Sequence, residues 1–369
     1  MKWQRDVQYF GASDIGTRRS TNQDSWAVHM APDGHQWEQQ GHLLIVADGM
    51  GGHAVGELAS NLATEMIVLD YRKQSSQSVK DNIRQSIQNA NAHIYERGCQ
   101  NQEFQGMGTT ATALLLLPEG ALIAHVGDSR AYRIRDDLIE QLTFDHSLVW
   151  ETKELAKQGI KSKESVEHIP DNIILRSLGP AAMVKIDLEG PFPNKPGETF
   201  LLCSDGLSGQ VTNGELGVLS KSLSPEEACR TLIDLANIRG GPDNITLVIA
   251  QLPSSEISSE NQPRSWIPKR LFSFLRPIFK TAHKTRISGN APYRSAPCTI
   301  DPSQLLELIS LEKAYRKQAI AESWNVAWEP FFLHYKNAEQ LRQSANWNQA
   351  FVSYSQSISI LMRGRPKQK

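Results

Sequence analysis

Short apolar runs alternate with longer segments of helically spaced apolar side chains over roughly the first 250 residues. The runs are short, contain β-branched residues and are bounded by turn residues, a combination that favours strands over buried helices. Pro118, Glu119 and Gly120 separate two of the runs, which predicts a β-hairpin. The predicted strands are residues 25–29, 42–47, 112–117, 121–126, 200–203 and 245–250.

Helical spacing of apolar side chains appears at residues 57–71, 79–99 and 225–238. Ser224 followed by Pro225 is typical of an N-cap and a first helical position, so we expect the third helix to begin there. Residues 146–176 alternate polar and charged groups around a weak helix, which indicates a surface excursion. The first unit is therefore predicted to mix helices and strands.

The pattern changes after Leu252. A polar, Ser/Pro-rich stretch comes first, followed by a segment at 264–294 with eight basic residues, no acidic residue and several aromatic ones. Helical spacing then returns as far as Met362. We predict a domain at 1–252, a polar and then basic, aromatic linker at 253–302, and a helical module at 303–369.

Composition narrows the class of protein. Apolar residues make up 40% of the chain, enough for a buried core and too many for a wholly disordered protein. No stretch reaches the roughly 18 consecutive apolar residues of a membrane-spanning helix, and the first residues lack a signal-peptide pattern. Four scattered cysteines do not suggest a disulfide framework, so we expect a cytoplasmic protein.

The net charge of −1 is the sum of two opposite parts. Residues 1–253 hold 22 Lys or Arg against 32 Asp or Glu, a net charge of −10, whereas residues 254–369 hold 17 against 8, a net charge of +9. This asymmetry predicts an acidic body with a basic appendage.

Aspartates stand where predicted strands meet loops, in several cases next to glycine. Carboxylates at the ends of different strands can converge on one spot, and a neighbouring glycine lets a backbone carbonyl join them. Oxygen ligands of this kind suit Mg²⁺ or Mn²⁺, and the absence of HExxH or paired CxxC argues against zinc. The candidate residues are Asp24, Asp48, Asp128, Asp205 and Asp243.

Any one such aspartate is more often a turn residue than a ligand. Five of them are harder to explain in that way, because unpaired carboxylates that converge repel one another by several kcal/mol. We therefore expect a cation among them.

Six segments carry a family resemblance. They are RRSTNQD, VADGMGGH, GTTATALLL, HVGDSRAYRI with the following LTFDHS, LLCSDGLSG and GPDNITLVIA. In their order and rough spacing, the sequence over residues 5–252 resembles the metal-dependent protein phosphatases, the PPM or 2C-type serine/threonine phosphatases, in their bacterial form. The resemblance implies an α+β fold, a four-layer α-β-β-α sandwich of two antiparallel sheets flanked by helices, here with a C-terminal helical appendage.

The resemblance also implies a ligand set. Asp48 is expected to bridge two Mg²⁺ or Mn²⁺ ions, with the Gly49 carbonyl as a further ligand. Asp205 and Asp243 complete the first metal, and Asp128 with Asp205 matches a third, weaker site.

Other residues are assigned by the same resemblance. Arg19 matches the arginine that binds the substrate phosphate, and Asp24 matches the residue that orients metal-bound water. Thr109 lies in the GTT segment near the cluster. The histidine proposed as general acid in eukaryotic relatives is replaced by Met50, and His53 has two interpretations, as a proton donor or as a structural residue.

These assignments predict hydrolysis of phosphoserine and phosphothreonine in proteins by a metal-activated hydroxide, in line and without a covalent phosphoenzyme. No cysteine begins a Cys-based phosphate loop, and the P-loop and kinase motifs are absent. The alternative is a catalytically silent, phosphatase-like binding or adaptor protein. The expected partners are phosphorylated proteins and an opposing Ser/Thr kinase, with no nucleic acid.

The regions around and beyond this centre leave several interpretations open. Residues 148–176 match the flap of these enzymes, which lies beside the metal cluster and helps choose substrates. The basic segment at 264–286 is either a peripheral anchor for an anionic membrane, a tether that folds back on the acidic body, or a solvated linker. Residues 331–362 resemble a single tetratricopeptide-type hairpin or form a plain helical pair, and we expect a regulatory or targeting role.

Overall fold

Twelve strands and ten α-helices make up the described chain. The computed structural model describes residues 5–52, 54–73, 78–157, 170, 173–254 and 293–366. The strands are β1 (Gln8–Asp14), β2 (Asp24–His29), β3 (His42–Met50), β4 (Gly108–Thr109), β5 (Ala111–Leu117), β6 (Gly120–Val126), β7 (Arg130–Arg135), β8 (Leu138–Gln141), β9 (Asp187–Phe192), β10 (Thr199–Cys203), β11 (Ile245–Gln251) and β12 (Arg294–Pro297).

The helices follow the predicted positions and add several. They are α1 (Gly34–Gln40), α2 (Ala54–Lys73), α3 (Val79–Gln100), α4 (Leu148–Lys157), α5 (Asp205–Ser208), α6 (Asn213–Ser222), α7 (Pro225–Ile238), α8 (Pro302–Ala321), α9 (Trp328–Gln343) and α10 (Trp347–Gly364). Ser224 caps α7, as the sequence predicts, and also forms a capping box with Glu227.

The strands form two antiparallel sheets. One has the order β1-β11-β10-β7-β8-β12, and the other β2-β3-β5-β6-β9, with β4 pairing to β3. All six predicted strands are confirmed, and so is the predicted hairpin, in which Leu117 lies opposite Gly120.

Apolar side chains fill three layers between these elements. Leu44, Leu114, Phe200 and Val248 belong to the core between the two sheets. The other face of the second sheet packs on α2 and α3, and the other face of the first sheet packs on α6 and α7. The α+β, four-layer sandwich is confirmed. No helix among the described residues has the length and apolar character needed to cross a membrane.

The C-terminal helices share a core with the outer layer of the first sheet. Phe351 and Tyr354 of α10 are fully buried in the same apolar cluster as Leu232 of α7 and Leu305 of α8. The side chain of Asn348 in α10 accepts from the Ile300 amide and donates to the Cys298 carbonyl, which joins α10 to the segment after β12.

The residues counted as linker include a strand of the first sheet, because β12 pairs with β8 at its edge. The three-part division at 252 and 302 stays a prediction. The basic segment at 264–286 lies outside the described residues. A helical hairpin at 331–362 is present as α9 and α10, whereas its likeness to a tetratricopeptide unit stays a prediction.

Candidate active site

Five aspartates come from different strands and loops but meet at one end of the sandwich. Asp24 and Asp48 lie directly opposite each other in the pairing of β2 with β3. Asp205 begins α5 just after β10, and Asp243 lies in the turn before β11. Asp128 follows β6. The charges of the other four all act on Asp48.

The backbone of Asp48 is held by the GTT segment. Its carbonyl accepts from the Thr110 amide at 2.8 Å and from Thr109 Oγ1 at 2.9 Å, and its amide donates to Thr110 Oγ1 at 2.8 Å. Thr109 therefore positions Asp48 through the main chain. Burial raises the pKa of the Asp48 carboxyl well above its usual range, and the charges of Asp24 and Asp205 raise it further.

Asp24 has one satisfied oxygen and one unsatisfied oxygen. Ser204 Oγ donates to its Oδ2 at 2.8 Å, whereas its Oδ1 is buried without a hydrogen-bond partner. Burial raises the pKa of the Asp24 carboxyl, and the hydrogen bond from Ser204 lowers it by a smaller amount. A buried carboxylate oxygen that lacks a partner costs free energy unless a proton or a cation reaches it.

Asp128 and Asp205 repeat this pattern. The Oδ1 atom of each is buried and has no partner. The pKa of Asp128 is raised by burial and then by the charge of Asp205, and the pKa of Asp205 is raised by burial and then by the charge of Asp243. Three carboxylates of the cluster thus each have a buried oxygen without a hydrogen-bond partner.

Arg19 lies on the exposed side of this cluster. Its Nη2 atom donates to Asp243 Oδ2 at 2.8 Å, and about half of the Arg19 side chain is exposed. The pKa of the Arg19 guanidinium is raised, first by this hydrogen bond. The arginine predicted to bind phosphate is therefore paired with a carboxylate predicted to bind metal.

The donor set fits a hard divalent cation. Its members are carboxylate oxygens, several of which are buried without a hydrogen-bond partner. A positive ion among them would offset the repulsion between the carboxylates and would interact with the oxygens that lack a partner. As the side chains stand, no three His, Cys, Asp or Glu residues in the described part of the chain form a group that could hold a metal ion. An ion that used Asp243 would compete with Arg19 for its carboxylate.

Gly49 needs to be glycine because three elements meet at it. A Cβ atom there would lie 2.1 Å from the Gly56 carbonyl oxygen and 2.5 Å from the Gln23 carbonyl oxygen. The end of β3 can therefore pass close to both α2 and the residue before β2.

Comparison with known proteins decides the family. The model of the family described as protein phosphatase 2C matches residues 11–238, more than half of the chain. The chain belongs to the protein phosphatase 2C family.

Two relatives show how far the 2C-type similarity extends. The serine/threonine phosphatase stp of Listeria innocua is 35% identical over 245 residues, which cover 65% of this chain and 93% of the relative. The crystal structure of the Mycobacterium tuberculosis serine/threonine phosphatase PstP/Ppp superposes with a TM-score of 0.56 at 31% identity, covering 67% of this chain and 99% of that one.

A third comparison concerns metal content. The catalytic domain of the serine/threonine protein phosphatase PstP, solved in complex with two manganese ions, has a TM-score of 0.56 and 30% identity, over 67% of this chain and 98% of that one. The resemblance of this chain to the bacterial 2C-type phosphatases is thereby confirmed.

Some members of the 2C-type site were not expected from the sequence. Arg130 makes a forked ion pair with Asp145, with Nη2 2.7 Å from Oδ2, and Asp145 raises the pKa of Asp128. Ser204, which holds Asp24, was also missed. Asp145 lies in the segment LTFDHS and Ser204 in LLCSDGLSG, both quoted above. The sequence therefore contained both residues within recognised motifs, but it assigned neither of them a role.

Other predicted features have mixed outcomes. His53 and, within the predicted flap, residues 158–169, 171 and 172 lie outside the described residues. The first residues of the predicted flap form α4. The metal and phosphate roles of the named residues stay predictions, now with a defined geometry.

Proposed function

We propose that this 2C-type chain is a metal-dependent protein phosphatase that hydrolyses phosphoserine and phosphothreonine in other proteins. Relatives named serine/threonine phosphatases match nearly their full length, which supports the substrate class. The observation that carries the proposal is the set of buried carboxylate oxygens without partners, on Asp24, Asp128 and Asp205, around Asp48.

The residues proposed to hold metal are those of the aspartate cluster. Asp48, the Gly49 carbonyl, Asp205 and Asp243 would hold Mg²⁺ or Mn²⁺, and Asp128 with Asp205 would hold a further ion more weakly. The structural neighbour that contains two manganese ions supports the choice of a divalent metal.

Divalent cations held there would supply a nucleophile at neutral pH and would neutralise charge on the reacting phosphate. The protein supplies the remaining functions. Asp24 offers Oδ1 as a proton acceptor in a buried position, and Ser204 fixes the carboxylate through Oδ2. The proton that the attacking water loses would thus be accepted at Asp24 Oδ1.

Arg19 is proposed to bind the phosphate of the substrate. Its planar guanidinium can donate two parallel hydrogen bonds to phosphate oxygens, and its exposed position lets a protein-bound phosphate reach it. Because Arg19 now donates to Asp243, a bound cation on Asp243 would weaken that pair and release Arg19 for the phosphate.

The C-terminal helices are proposed to regulate or target the phosphatase. They lie beyond the residues matched by the family model, and they pack on α7 instead of standing apart from the body. The proposed partners are phosphorylated proteins and an opposing Ser/Thr kinase, within the cytoplasm.

The test is release of phosphate from matched peptides that carry phosphoserine, phosphothreonine or phosphotyrosine, with a small aryl phosphate alongside and Mn²⁺ present. The proposal predicts hydrolysis of the first two peptides and loss of activity on chelation. Tight binding of phosphopeptides without hydrolysis of any substrate would instead support the catalytically silent adaptor.

A further inference from the structure

A pocket of about 220 Å³ opens directly beside the aspartate cluster. Its lining combines residues of the candidate site with residues of the flap helix α4. One further lining residue, Arg294, comes from the C-terminal part of the chain. The lining includes Asp128, Arg130, Asp145, Asp205, Trp150, Lys153 and Arg294.

Arg294 lies 56 positions beyond the last residue matched by the family model, which ends at 238. It reaches the pocket because β12 adds a strand to the edge of the first sheet, with Arg294 opposite Gln141 of β8. The Gln141 side chain donates to Asp145 Oδ1 at 2.9 Å, so the added strand borders the Arg130–Asp145 ion pair.

The Arg294 side chain is held by the flap helix. Its guanidinium carbon lies 3.4 Å from the centroid of the Trp150 ring, and its Nη2 atom forms an ion pair with Glu154. Trp150 and Glu154 are four residues apart and therefore share one face of α4. Two contacts from one arginine, a stacked ring and an ion pair, restrict both where the helix lies and how it can rotate about its axis.

Arg294 is itself anchored on both sides. Tyr293 packs between Phe144 and Phe192, with ring centroids 5.6 and 5.3 Å away. On the other side, Asn348 of α10 binds the backbone at Cys298 and Ile300. The C-terminal helices, β12 and α4 thus form one continuous line of contacts that ends at the pocket.

We propose that Arg294 is a positioning residue that holds α4 at the rim of the catalytic pocket and thereby sets how peptide substrates bind. The substrate part of this inference rests on the proposed phosphatase function. Peptide residues on either side of the phosphorylated side chain would contact the α4 wall, whereas a small aryl phosphate would reach only the aspartate cluster and Arg19.

The kinetic test compares Arg294→Ala and Arg294→Lys with the wild-type full-length protein, on a phosphoserine peptide and on an aryl phosphate. We expect the alanine variant to raise the peptide KM by about threefold to tenfold, the range set by a partly desolvated cation–π contact. The kcat for the aryl phosphate should stay within about twofold, because the described side-chain contacts of Arg294 are with α4 and not with the five aspartates. Lysine should restore part of the peptide KM.

Hydrogen exchange gives a readout that needs no catalysis. Amides of α4 should exchange faster in Arg294→Ala than in wild type, whereas amides of α7 should not change. Arg230→Ala is the matched control, since Arg230 also combines an ion pair, with Glu226, and a ring contact, with Phe10, away from the pocket.

The outcomes separate this inference from the proposed function. Unchanged α4 exchange, or an unchanged peptide KM in Arg294→Ala, overturns the positioning role while leaving a phosphatase intact. If the wild-type protein hydrolyses neither substrate, the phosphatase proposal fails, and α4 exchange still decides whether Arg294 holds the helix.

Discussion

Arg19 and Asp243 form an ion pair at the mouth of the aspartate cluster, with Arg19 Nη2 2.8 Å from Asp243 Oδ2. The pair joins the two functions assigned to this centre, phosphate binding and metal binding. A phosphate bound to Arg19 and a metal ion bound to Asp243 would each weaken this ion pair, because each would draw one partner away from the other.

The first prediction concerns Arg19. Arg19→Ala should lower kcat/KM for a phosphopeptide by about 10² to 10³, the usual loss for one preorganised donor to a developing anion. Arg19→Lys should recover only part of this, because lysine lacks the planar fork. Mn²⁺ binding, measured by calorimetry, should be no weaker in Arg19→Ala, since Asp243 is then released from its ion pair.

Arg84→Ala is the control for Arg19, because Arg84 forms an exposed ion pair with Asp81 on α3. Its kinetics should match wild type. If Arg19→Ala keeps kcat/KM within about threefold of wild type, Arg19 does not bind the reacting phosphate.

A second prediction concerns the free energy of unfolding of the metal-free protein. Asp48→Asn removes a buried carboxyl group that destabilises the metal-free protein either by repulsion or by the need to take up a proton, so in EDTA the variant should melt at a higher temperature than wild type. Saturating Mn²⁺ at about 100 times its Kd should then stabilise wild type by about 2.7 kcal/mol but the Asp48→Asn variant far less. Calorimetric scans with EDTA and with Mn²⁺ measure both effects.

The opposite order in EDTA would count against a repulsive carboxylate cluster. Glu38→Gln, on the exposed surface of α1, serves as a control for loss of a negative charge alone. It should change neither the melting temperature in EDTA nor the shift caused by Mn²⁺.

A third prediction concerns pH and the packing of α10. Asp234 of α7 accepts from Ser359 Oγ of α10, and burial raises the pKa of its carboxyl from 3.8 to about 7. The hydrogen bond from Ser359 and the charge of Arg363 lower that pKa, and the charge of Asp14 raises it. Between these two pKa values the folded state binds a proton that the unfolded state has released.

Stability from this group should therefore be complete below about pH 4 and should fall as the pH rises to about 7. Asp234→Asn keeps a neutral partner for Ser359, so its melting temperature should fall less than that of wild type over this window. Parallel melting curves at pH 5 and pH 8 test this. Equal losses in the two proteins would show that Asp234 is not protonated in the native state.

A fourth prediction concerns the core shared by α10 and the catalytic body. Phe351 is fully buried there, so Phe351→Ala should cost about 3–5 kcal/mol. Leu333 on α9 is 69% exposed, and Leu333→Ala should have little effect. Because the core is continuous with α7, scanning calorimetry should show one transition that moves to lower temperature. Two transitions, with only the first displaced, would mean that the helical module folds independently.

Strands buried on both faces could be predicted because their sequences are continuously apolar. β5 and β6 are buried at nearly every position, and their sequences are dominated by apolar residues. β7 and β12 were missed, because arginines alternate with apolar residues in β7 and β12 is short and lies in a basic segment. Their strand character comes from pairing with distant partners.

The five aspartates could be predicted as a group because each stands in its own motif. The contacts that each of them makes with other side chains could not be predicted from the sequence. Asp24 meets Ser204, which follows β10 and lies 180 positions away, and Arg19 meets Asp243 across 224 positions. Such contacts depend on the register of antiparallel strands, which no local pattern contains. The same reason hid Arg294, whose position at the pocket follows from β12 pairing with β8.

The most direct test is the rate of phosphate release from a phosphoserine peptide, measured with Mn²⁺ for wild type, Asp48→Ala and Asp205→Ala, and with EDTA for wild type. We predict turnover by wild type with Mn²⁺ and a loss of at least about a thousandfold in each of the other three reactions. Turnover that survives EDTA, or that persists in both variants, would contradict a metal-dependent phosphatase centre at these aspartates.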